Sequence, residues 1–279
     1  MSTRALTTTY EAFRRDDSIR QRVRAVARAG AVWVLSKRPR RPWREGLNVL
    51  YYHHVFDDER AGFDRQLRFL SDQVEWVSLD EALDLMKDGG EPGRRYLAIT
   101  FDDGFENCFT HAMPSLSERS IPAAFFLPTD FVGAHPNDDP ARVWSFFRKT
   151  VNVPFMTWSQ CREAAAAGFA FGSHTCSHAS LIELDKAHVR WELETSRKII
   201  ERELGTPCEH FCAPRGKSGL HFDASRDPKL VHETGFRSFL TTEAGINTLN
   251  QPFAAPPVVR RCHAVASWGN HELAHFLGL

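Results

Sequence analysis

The sequence predicts a barrel of parallel strands surrounded by helices, and three observations indicate this fold class. From about residue 46 onward, short apolar runs alternate with helical patterns, as in parallel βαβ units. Seven such runs occur in about 230 residues, a size typical of an α/β barrel. Histidine or aspartate follows several of the runs, and the carboxyl ends of barrel strands share one mouth. We therefore expect one polar site there.

The individual elements follow from local patterns. Before the barrel, residues 11–36 have a mostly helical pattern, which Pro39 and Pro42 end. The candidate strands are the apolar runs 48–52, 96–101, 123–127, 169–171, 210–212, 237–240 and 258–261. Helical patterns lie at 61–74, 79–87, 107–119, 158–167, 184–204 and 226–234, and the tail 271–279 predicts a closing helix. Residues 133–144, which contain prolines and an Asn-Asp-Asp run, are expected to form a loop insertion.

Length and composition exclude several classes of protein. The 279 residues include 35 Lys and Arg against 35 Asp and Glu, and this balance argues against a general nucleic-acid binder. No stretch of 18 apolar residues occurs, so no membrane-spanning helix is expected. The six cysteines form no Cys-x-x-Cys pair, and no signal peptide is recognised. These features predict free thiols in a reducing cytoplasm.

The charge is unevenly distributed along the chain. Residues 1–48 hold twelve basic and four acidic side chains, a net charge of +8 that the remaining residues balance. We therefore divide the chain into a basic N-terminal helical extension, 1–45, and a barrel domain, 46–279. The extension is expected to be an amphipathic helix. It either packs on the barrel, which is the commoner situation, or contacts an anionic membrane surface peripherally.

Two groups of residues on predicted strand ends carry chemistry. Asp102 and Asp103 follow the run 96–101, and one of two adjacent carboxylates can bind a cation while the other takes a proton. Alone, such a pair more often marks a simple turn. His174 and His178 are four residues apart, a spacing that lets two imidazoles face one cation. With a carboxylate from another strand end they form a site that suits zinc, while iron, cobalt or manganese also fit.

These motifs resemble those of the NodB-like polysaccharide deacetylases, the carbohydrate esterase family four type. The likeness lies in LAITFDDGF at 97–105, IPAAFFL at 121–127 and HTCSH at 174–178, and it extends from about residue 48 to residue 264. The opening YHHV at 52–55 resembles the start of one branch of the family. The resemblance implies a distorted (β/α)7 barrel that removes an N-acetyl, or another N-acyl, group from an amino sugar.

Carried over residue by residue, the resemblance also implies roles within the site. Asp103, His174 and His178 would hold a divalent metal, with Zn²⁺ the best match and Co, Mn, Ni or Fe as alternatives, and Asp102 would be the general base. His263 is a candidate general acid, and His53 is a candidate to line the site or reach the metal region. For each of these two, a partly buried histidine at a strand end is an equally good interpretation.

Three departures from the family pattern affect this prediction. Cys212 stands two residues before Pro214, where the family commonly has an arginine that orients the base. Arg215 stands where tyrosine is frequent, although its backbone N–H could still face an oxyanion beside Pro214. The Asp-x-x-Asp-Trp segment of the best-known members has no match, and their Leu-x-His motif is echoed only by the sequence RCH at 261–263.

Three functions are therefore considered. The leading hypothesis is a metal-dependent sugar N-deacetylase of surface polysaccharide biosynthesis. It would act in the cytoplasm, or on the inner face of the membrane, on a polysaccharide, oligosaccharide or glycolipid precursor. A second is a deformylase or other C–N amide hydrolase acting on a lipid-linked sugar or a small amide. A third is a sugar-binding protein with reduced catalysis, suggested by Cys212 and the missing Asp-Trp segment.

Overall fold

The strands of the chain lie side by side in one parallel sheet. A computed structural model describes residues 5–14, 30, 43, 45–147, 151–251, 253 and 257–279. The strands are β1 (Gly46–Tyr52), β2 (Glu75–Trp76), β3 (Arg95–Phe101), β4 (Ala123–Leu127), β5 (Ala170–Ser173), β6 (His210–Cys212), β7 (Ser238–Leu240), β8 (Val258–Val259) and β9 (Cys262–His263). Their order in the sheet is β8-β7-β6-β5-β4-β3-β1-β9, with β2 added beside β3.

The sheet closes on itself through residues 258–263. β8 pairs with β7, and β9 pairs with β1. Only Arg260 and Arg261 separate these two short strands, so one extended segment occupies the seventh strand position between β7 and β1. The expected (β/α)7 barrel is confirmed. Its distortion lies in this segment, because the two halves pair with different neighbours.

Helices connect the strands and cover the outside of the barrel. They are α1 (Tyr10–Phe13), α2 (Arg60–Ser71), α3 (Leu79–Asp88), α4 (Met113–Glu118), α5 (Pro140–Phe147), α6 (Trp158–Ala166), α7 (Lys186–Leu204), α8 (Asp227–Glu233) and α9 (Asn270–Leu277). Short 3-10 turns lie at Asp57–Glu59 and Leu181–Glu183, and a π-helical turn at Cys108–Ala112 precedes α4. Among the helices described, none is both long and apolar enough to span a lipid bilayer.

Most predicted elements are confirmed, and the differences have physical reasons. The stretch 133–144 is not wholly a loop, since α5 begins at Pro140, whose fixed φ suits the first turn of a helix. The run 258–261 is not one strand, because its backbone changes partner between β8 and β9. The pattern 107–119 begins as the π-helical turn and becomes α-helical only at Met113. Strand β2 is too short for sequence periodicity to reveal.

Large apolar side chains pack on both faces of the sheet, against the helices outside it and within the barrel. Phe101 and Phe125 stack with their ring centroids 4.8 Å apart, and both are fully buried. Gly172 on β5 leaves the room that Phe126 on β4 occupies. A Cβ at residue 172 would lie 2.4 Å from the Phe126 ring and 2.7 Å from the carbonyl oxygen of His210. The strand therefore requires glycine at this position.

The described parts of the N-terminal extension lie against the barrel. Thr9 caps the N-terminus of α1, since its Oγ accepts the Ala12 N–H at 3.1 Å. The ring centroid of Phe13 lies 5.3 Å from that of Phe56. Trp43 is buried in the main core. The rest of the predicted basic helix at 11–36 lies outside the described residues, so neither membrane contact nor the boundary at residue 45 is tested.

Candidate metal centre and active site

The predicted site residues come together at the carboxyl ends of the strands. Asp102 and Asp103 follow β3, and the Asp102 N–H extends the ladder by donating to the Tyr52 carbonyl at 2.9 Å. His174 follows β5, and its N–H donates to the Leu127 carbonyl at 3.0 Å. Because parallel strands direct their carboxyl ends to one side, residues far apart in the chain share one mouth, as expected.

Asp103, His174 and His178 form a cluster in which a single cation could contact all three. The Nε2 atoms of His174 and His178 lie 3.4 Å and 3.3 Å from Asp103 Oδ1. His174 and Asp103 are buried, with side-chain exposures of 2% and 9%. The three candidate ligand atoms all lie within 4.8 Å of one another. This is a compact two-histidine, one-carboxylate arrangement on one side of a cation position.

The chemistry of this donor set fits a divalent metal. Asp103 Oδ1 is buried and accepts no hydrogen bond within the described structure, and such an oxygen is costly unless a cation or donor satisfies it. The Nδ1 atom of His174 lies 2.7 Å from the Cys212 carbonyl oxygen, which accepts its proton. In the neutral imidazole that bond fixes the lone pair on Nε2, the nitrogen that faces the cluster, and this is the tautomer that metal-binding histidines use. Burial works to raise the pKa of Asp103, but contact with the two imidazoles lowers it well below its usual value.

Two of the candidate ligands and two residues near them have uncommon backbone conformations. Asp103, Thr175, His178 and Arg215 all have positive φ angles, of 71°, 66°, 57° and 59°. Few residues other than glycine adopt such angles, and they persist where the surrounding structure enforces them. Residues of this kind cluster at functional sites, and these four lie on the loops around the barrel mouth.

Glu192 on α7 fixes the loop that joins the two histidines. Its carboxylate accepts the N–H groups of Cys176 and Ser177 at 2.6 Å and 3.1 Å, and the Ser177 hydroxyl donates to it at 2.5 Å. Glu192 is buried, as is Cys176, so the thiol packs in the interior. Sequence patterns did not single out Glu192, although a glutamate among the apolar positions of a core-facing helix is a signal for such a role.

Asp102 has a different partner, Arg261. The guanidinium donates to both carboxylate oxygens, from Nη1 to Oδ1 at 2.7 Å and from Nη2 to Oδ2 at 2.8 Å. Further bonds to Thr100 Oγ1 at 3.0 Å and to the Thr241 carbonyl at 2.9 Å hold the arginine itself, which is fully buried. Burial works to raise the pKa of Asp102, but the neighbouring positive charge lowers it overall. The carboxylate is therefore ionised at neutral pH.

Arg261 supplies the guanidinium partner of Asp102 that the family pattern would place at residue 212, where this chain has cysteine. The Cys212 thiol lies 2.8 Å from Arg261 Nη2 and 3.7 Å from Asp102 Oδ1. The small cysteine on β6 thus leaves room for a guanidinium that arrives from the segment closing the barrel. The sequence argument for reduced catalysis took Cys212 as the loss of this group. The part of the argument that rests on Cys212 fails, since Asp102 has an arginine partner.

The remaining predicted residues occupy the mouth at different distances. His53 Nε2 lies 3.9 Å from Asp103 Oδ2, beside the candidate metal cluster. His263 on β9 packs with its ring centroid 4.9 Å from Tyr51 and 5.6 Å from His53. Pro214 is buried, whereas Arg215 is exposed and its carbonyl accepts the Thr242 hydroxyl at 2.6 Å.

A cavity of about 380 Å³ opens beside the cluster. Its lining combines site residues with aromatic side chains of α1 and α5 and the loop after β9, namely Tyr10, Phe13, His53, His54, Glu59, Asp103, Phe105, Phe146, Phe147, His263, Ala264 and Val265. Glu59 joins two of these segments, because its carboxylate accepts the Phe56 N–H at 3.2 Å and the Ser267 N–H at 3.0 Å. Burial raises the pKa of Glu59 to about 7.

All six cysteines are buried and unpaired. The expected free thiols are thus confirmed.

The family model and the curated relative that match this chain are both described as polysaccharide deacetylases. A family model described as polysaccharide deacetylase matches residues 89–236, more than half of the chain. YxkH of Bacillus subtilis (strain 168), which is named as a polysaccharide deacetylase, is 22% identical over 236 residues, which cover 82% of this chain and 75% of that protein.

Solved structures share the fold. IcaB from Ammonifex degensii superposes with a TM-score of 0.66 and 25% identity, covering 84% of this chain and 97% of its own. The Streptococcus pyogenes deacetylase PplD, solved in complex with acetate, gives a TM-score of 0.64 and 17% identity, covering 83% and 98%. The architecture described above is therefore a known one.

Proposed function

Since the chain belongs to the polysaccharide deacetylase family, we propose that it hydrolyses the N-acetyl amide of an amino sugar with a divalent metal held by Asp103, His174 and His178. Sugar deacetylation follows from membership of the family. The metal, the amide of an amino sugar and the roles of single residues are the proposed parts. The observation that supports them most strongly is the buried, unpartnered Asp103 Oδ1 facing two imidazole nitrogens at 3.3 Å and 3.4 Å.

The ligand set favours Zn²⁺, with Co, Mn, Ni or Fe as alternatives. When bound, such a cation supplies positive charge that polarises the amide carbonyl and makes a water molecule more acidic. The protein contributes the geometry, because His174 is locked by its bond to the Cys212 carbonyl and the intervening loop is locked by Glu192. Imidazoles and a carboxylate on one side leave the other side open to substrate.

Asp102 is the proposed general base. It takes a proton from the attacking water as the new C–O bond forms at the amide carbon. Arg261 uses one lone pair of each carboxylate oxygen, and each oxygen keeps another for the proton. The arginine therefore orients Asp102 and keeps it ionised without blocking it.

His263 is the proposed general acid. It lines the same cavity as Asp103, so a substrate amide beside the metal ligands lies within its reach. The C–N bond breaks, the amine leaves with a proton from the imidazole, and acetate remains. In the same proposal, His53, Pro214 and the backbone of Arg215 line the substrate and oxyanion side of the mouth.

Acetate release from glycosides of N-acetylglucosamine and N-acetylgalactosamine tests this proposal. We expect a chelator to abolish release and Zn²⁺ or Co²⁺ to restore it. Asp102→Asn should lower kcat by about 10²- to 10⁴-fold while metal content, measured by mass spectrometry, stays at the wild-type level. Asp103→Asn should lose the metal, and the exposed control Asp72→Asn should change neither. Turnover that ignores both chelation and Asp102→Asn would contradict the proposal.

A further inference from the structure

The cavity beside the candidate metal ligands is completed by segments that the deacetylase motifs do not include. Phe13 comes from α1, and Phe147 comes from α5 in the stretch that follows β4. Val265 comes from the loop after β9. These side chains meet Phe105, whose ring stacks on Phe147 with a centroid distance of 5.3 Å. Asp103 lies in the same wall, so the cavity is continuous with the candidate metal position.

The chemistry of the wall favours a hydrocarbon occupant. The Glu59 carboxylate accepts two backbone N–H groups, and His54 lies between Phe105 and Phe56 with its Nδ1 3.3 Å from the Asn107 amide. The other polar lining residues are Tyr10 and, beside the candidate metal position, His53, Asp103 and His263. These are too few partners for all the hydroxyl groups of a sugar ring buried among the phenylalanines, and each unpaired hydroxyl is costly. An alkyl chain needs none and gains from burial against aromatic rings.

The volume of the cavity exceeds what an acetyl group requires. Apolar cavities of about 150 Å³ in proteins can hold a benzene ring, whereas this cavity measures about 380 Å³. A single methyl group would leave most of it unfilled. A chain of several carbons attached to the scissile carbonyl would fill it, because the carbonyl carbon would lie beside the cation and its substituent would extend along the wall.

We propose that this aromatic cavity is an acyl-chain site, and that the enzyme hydrolyses N-acyl amides with chains longer than acetyl in preference to N-acetyl. The proposal rests on the proposed amidase function and adds to it the class of acyl group. The reaction is otherwise unchanged: water forms the new C–O bond, the C–N bond breaks, and the products are a fatty carboxylate and the amino sugar.

An acyl-length series tests the proposal on the full chain. The substrates are β-glycosides of glucosamine and galactosamine that carry formyl, acetyl, propionyl, butyryl or hexanoyl groups, and the readout is the amine released. Each methylene buried in the cavity is expected to raise kcat/KM by about fourfold, so that butyryl, with two more methylenes, exceeds acetyl by roughly 15-fold. A kcat/KM that is highest for acetyl would overturn this inference and leave the proposed deacetylase function intact.

Variants connect the preference to the cavity. Val265→Trp fills the space, so the ratio of butyryl to acetyl kcat/KM should fall by about tenfold. Val258→Trp is the matched control, because the same change occurs at an exposed valine of β8 outside the cavity and should leave the ratio as in the wild type. If folded Val265→Trp keeps the wild-type ratio, or if kcat/KM depends on an alkyl aglycone and not on acyl length, the inference is wrong.

Product binding gives a second readout that needs no turnover. Hexanoate should raise the melting temperature of the metal-loaded protein more than acetate does at equal concentration, and Val265→Trp should remove the difference. Equal shifts by the two carboxylates in the wild type would overturn the inference. This measurement decides the occupant of the cavity even if every glycoside proves inert, a result that would count against the proposed function.

Discussion

Replacing Arg261 by leucine should damage both the stability of the barrel and the activity of the site. The change removes two bonds to the Asp102 carboxylate, at 2.7 Å and 2.8 Å, and two bonds to Thr100 and Thr241. Asp102 is only 2% exposed, so water cannot replace the guanidinium. Leucine also restores the Leu-x-His pattern that the sequence lacks at residues 261–263.

The expected magnitude follows from the burial of the pair. Removing one partner of a buried ion pair costs about 3–5 kcal/mol, since the other charge is left uncompensated. For a domain of this size that corresponds to a melting temperature lower by about 10 °C. The pKa of Asp102 should rise, because the charge that lowers it is gone and burial, which raises it, remains. The acid limb of kcat/KM should therefore move to higher pH by about one to three units.

A second substitution should rescue the first. In Arg261→Leu, an arginine introduced by Cys212→Arg would start from β6 and place its guanidinium in the space left open, because the Cys212 thiol lies 2.8 Å from Arg261 Nη2. We expect the double variant to recover most of the melting temperature and to return the acid limb toward its original position. Cys212→Arg alone should destabilise the protein, since two guanidinium groups would compete for one carboxylate.

Thermal unfolding and pH profiles of acetate release measure these effects. The neighbouring exposed Arg260→Leu serves as the control and should leave the acid limb where it is in the wild type. If Arg261→Leu lowers the melting temperature while the folded enzyme keeps its kcat/KM and its acid limb, the arginine supports the fold but does not position the base. Wild-type stability and activity together would refute the reasoning entirely.

Two further substitutions test the packing and electrostatics around the site. The pKa of Glu59 is about 7 in the folded protein against an ordinary 4.5, so the folded state keeps a proton that the unfolded chain has lost in this window. Stability therefore falls by on the order of 3 kcal/mol as the pH rises from about 4.5 to about 7. Glu59→Gln has no carboxyl group to ionise, so the difference between its melting temperature and that of the wild type should become more positive between pH 5 and pH 8. Parallel plots of melting temperature against pH for the two proteins would contradict the reasoning. Gly172→Ala should lower the free energy of unfolding, measured with denaturant, by about 1–3 kcal/mol, because its Cβ would lie 2.4 Å from the Phe126 ring. An unchanged unfolding midpoint would mean that β4 and β5 separate more easily than their packing indicates.

The fold was predictable because its signals are local. Apolar runs of strand length alternate with amphipathic helical segments, and a parallel barrel is the arrangement that buries both faces of such strands. The failures occurred where the outcome depends on distant partners. The run 258–261 was predicted as one strand, but the backbone leaves β7 for β1 between Val259 and Cys262. No local pattern records which neighbour a strand selects.

The part of the candidate site that lies at strand ends was predictable for the same reason. Asp103, His174 and His178 each follow a predicted strand, so the topology alone brings them to one mouth. The acyl cavity could not be predicted in this way. Phe13, Phe147 and Val265 lie on three segments with no regular spacing, and only the folded chain brings them together.

Arg261 shows how a motif can be preserved in space after it is lost in sequence. Its partner Asp102 is 159 residues earlier in the chain, and position-by-position comparison registers only an absent arginine at Cys212. A buried arginine between two short strands nevertheless requires a carboxylate partner. Strand ends converge in a barrel, so the guanidinium can come from either of two strands but not from both. Relatives with a small residue at the position of Cys212 should therefore carry arginine at the position of Arg261, and relatives with arginine at the first position should carry an apolar residue at the second. An aligned set of relatives that lack arginine at both positions and still hydrolyse their substrate would show that Asp102 does not need the pair.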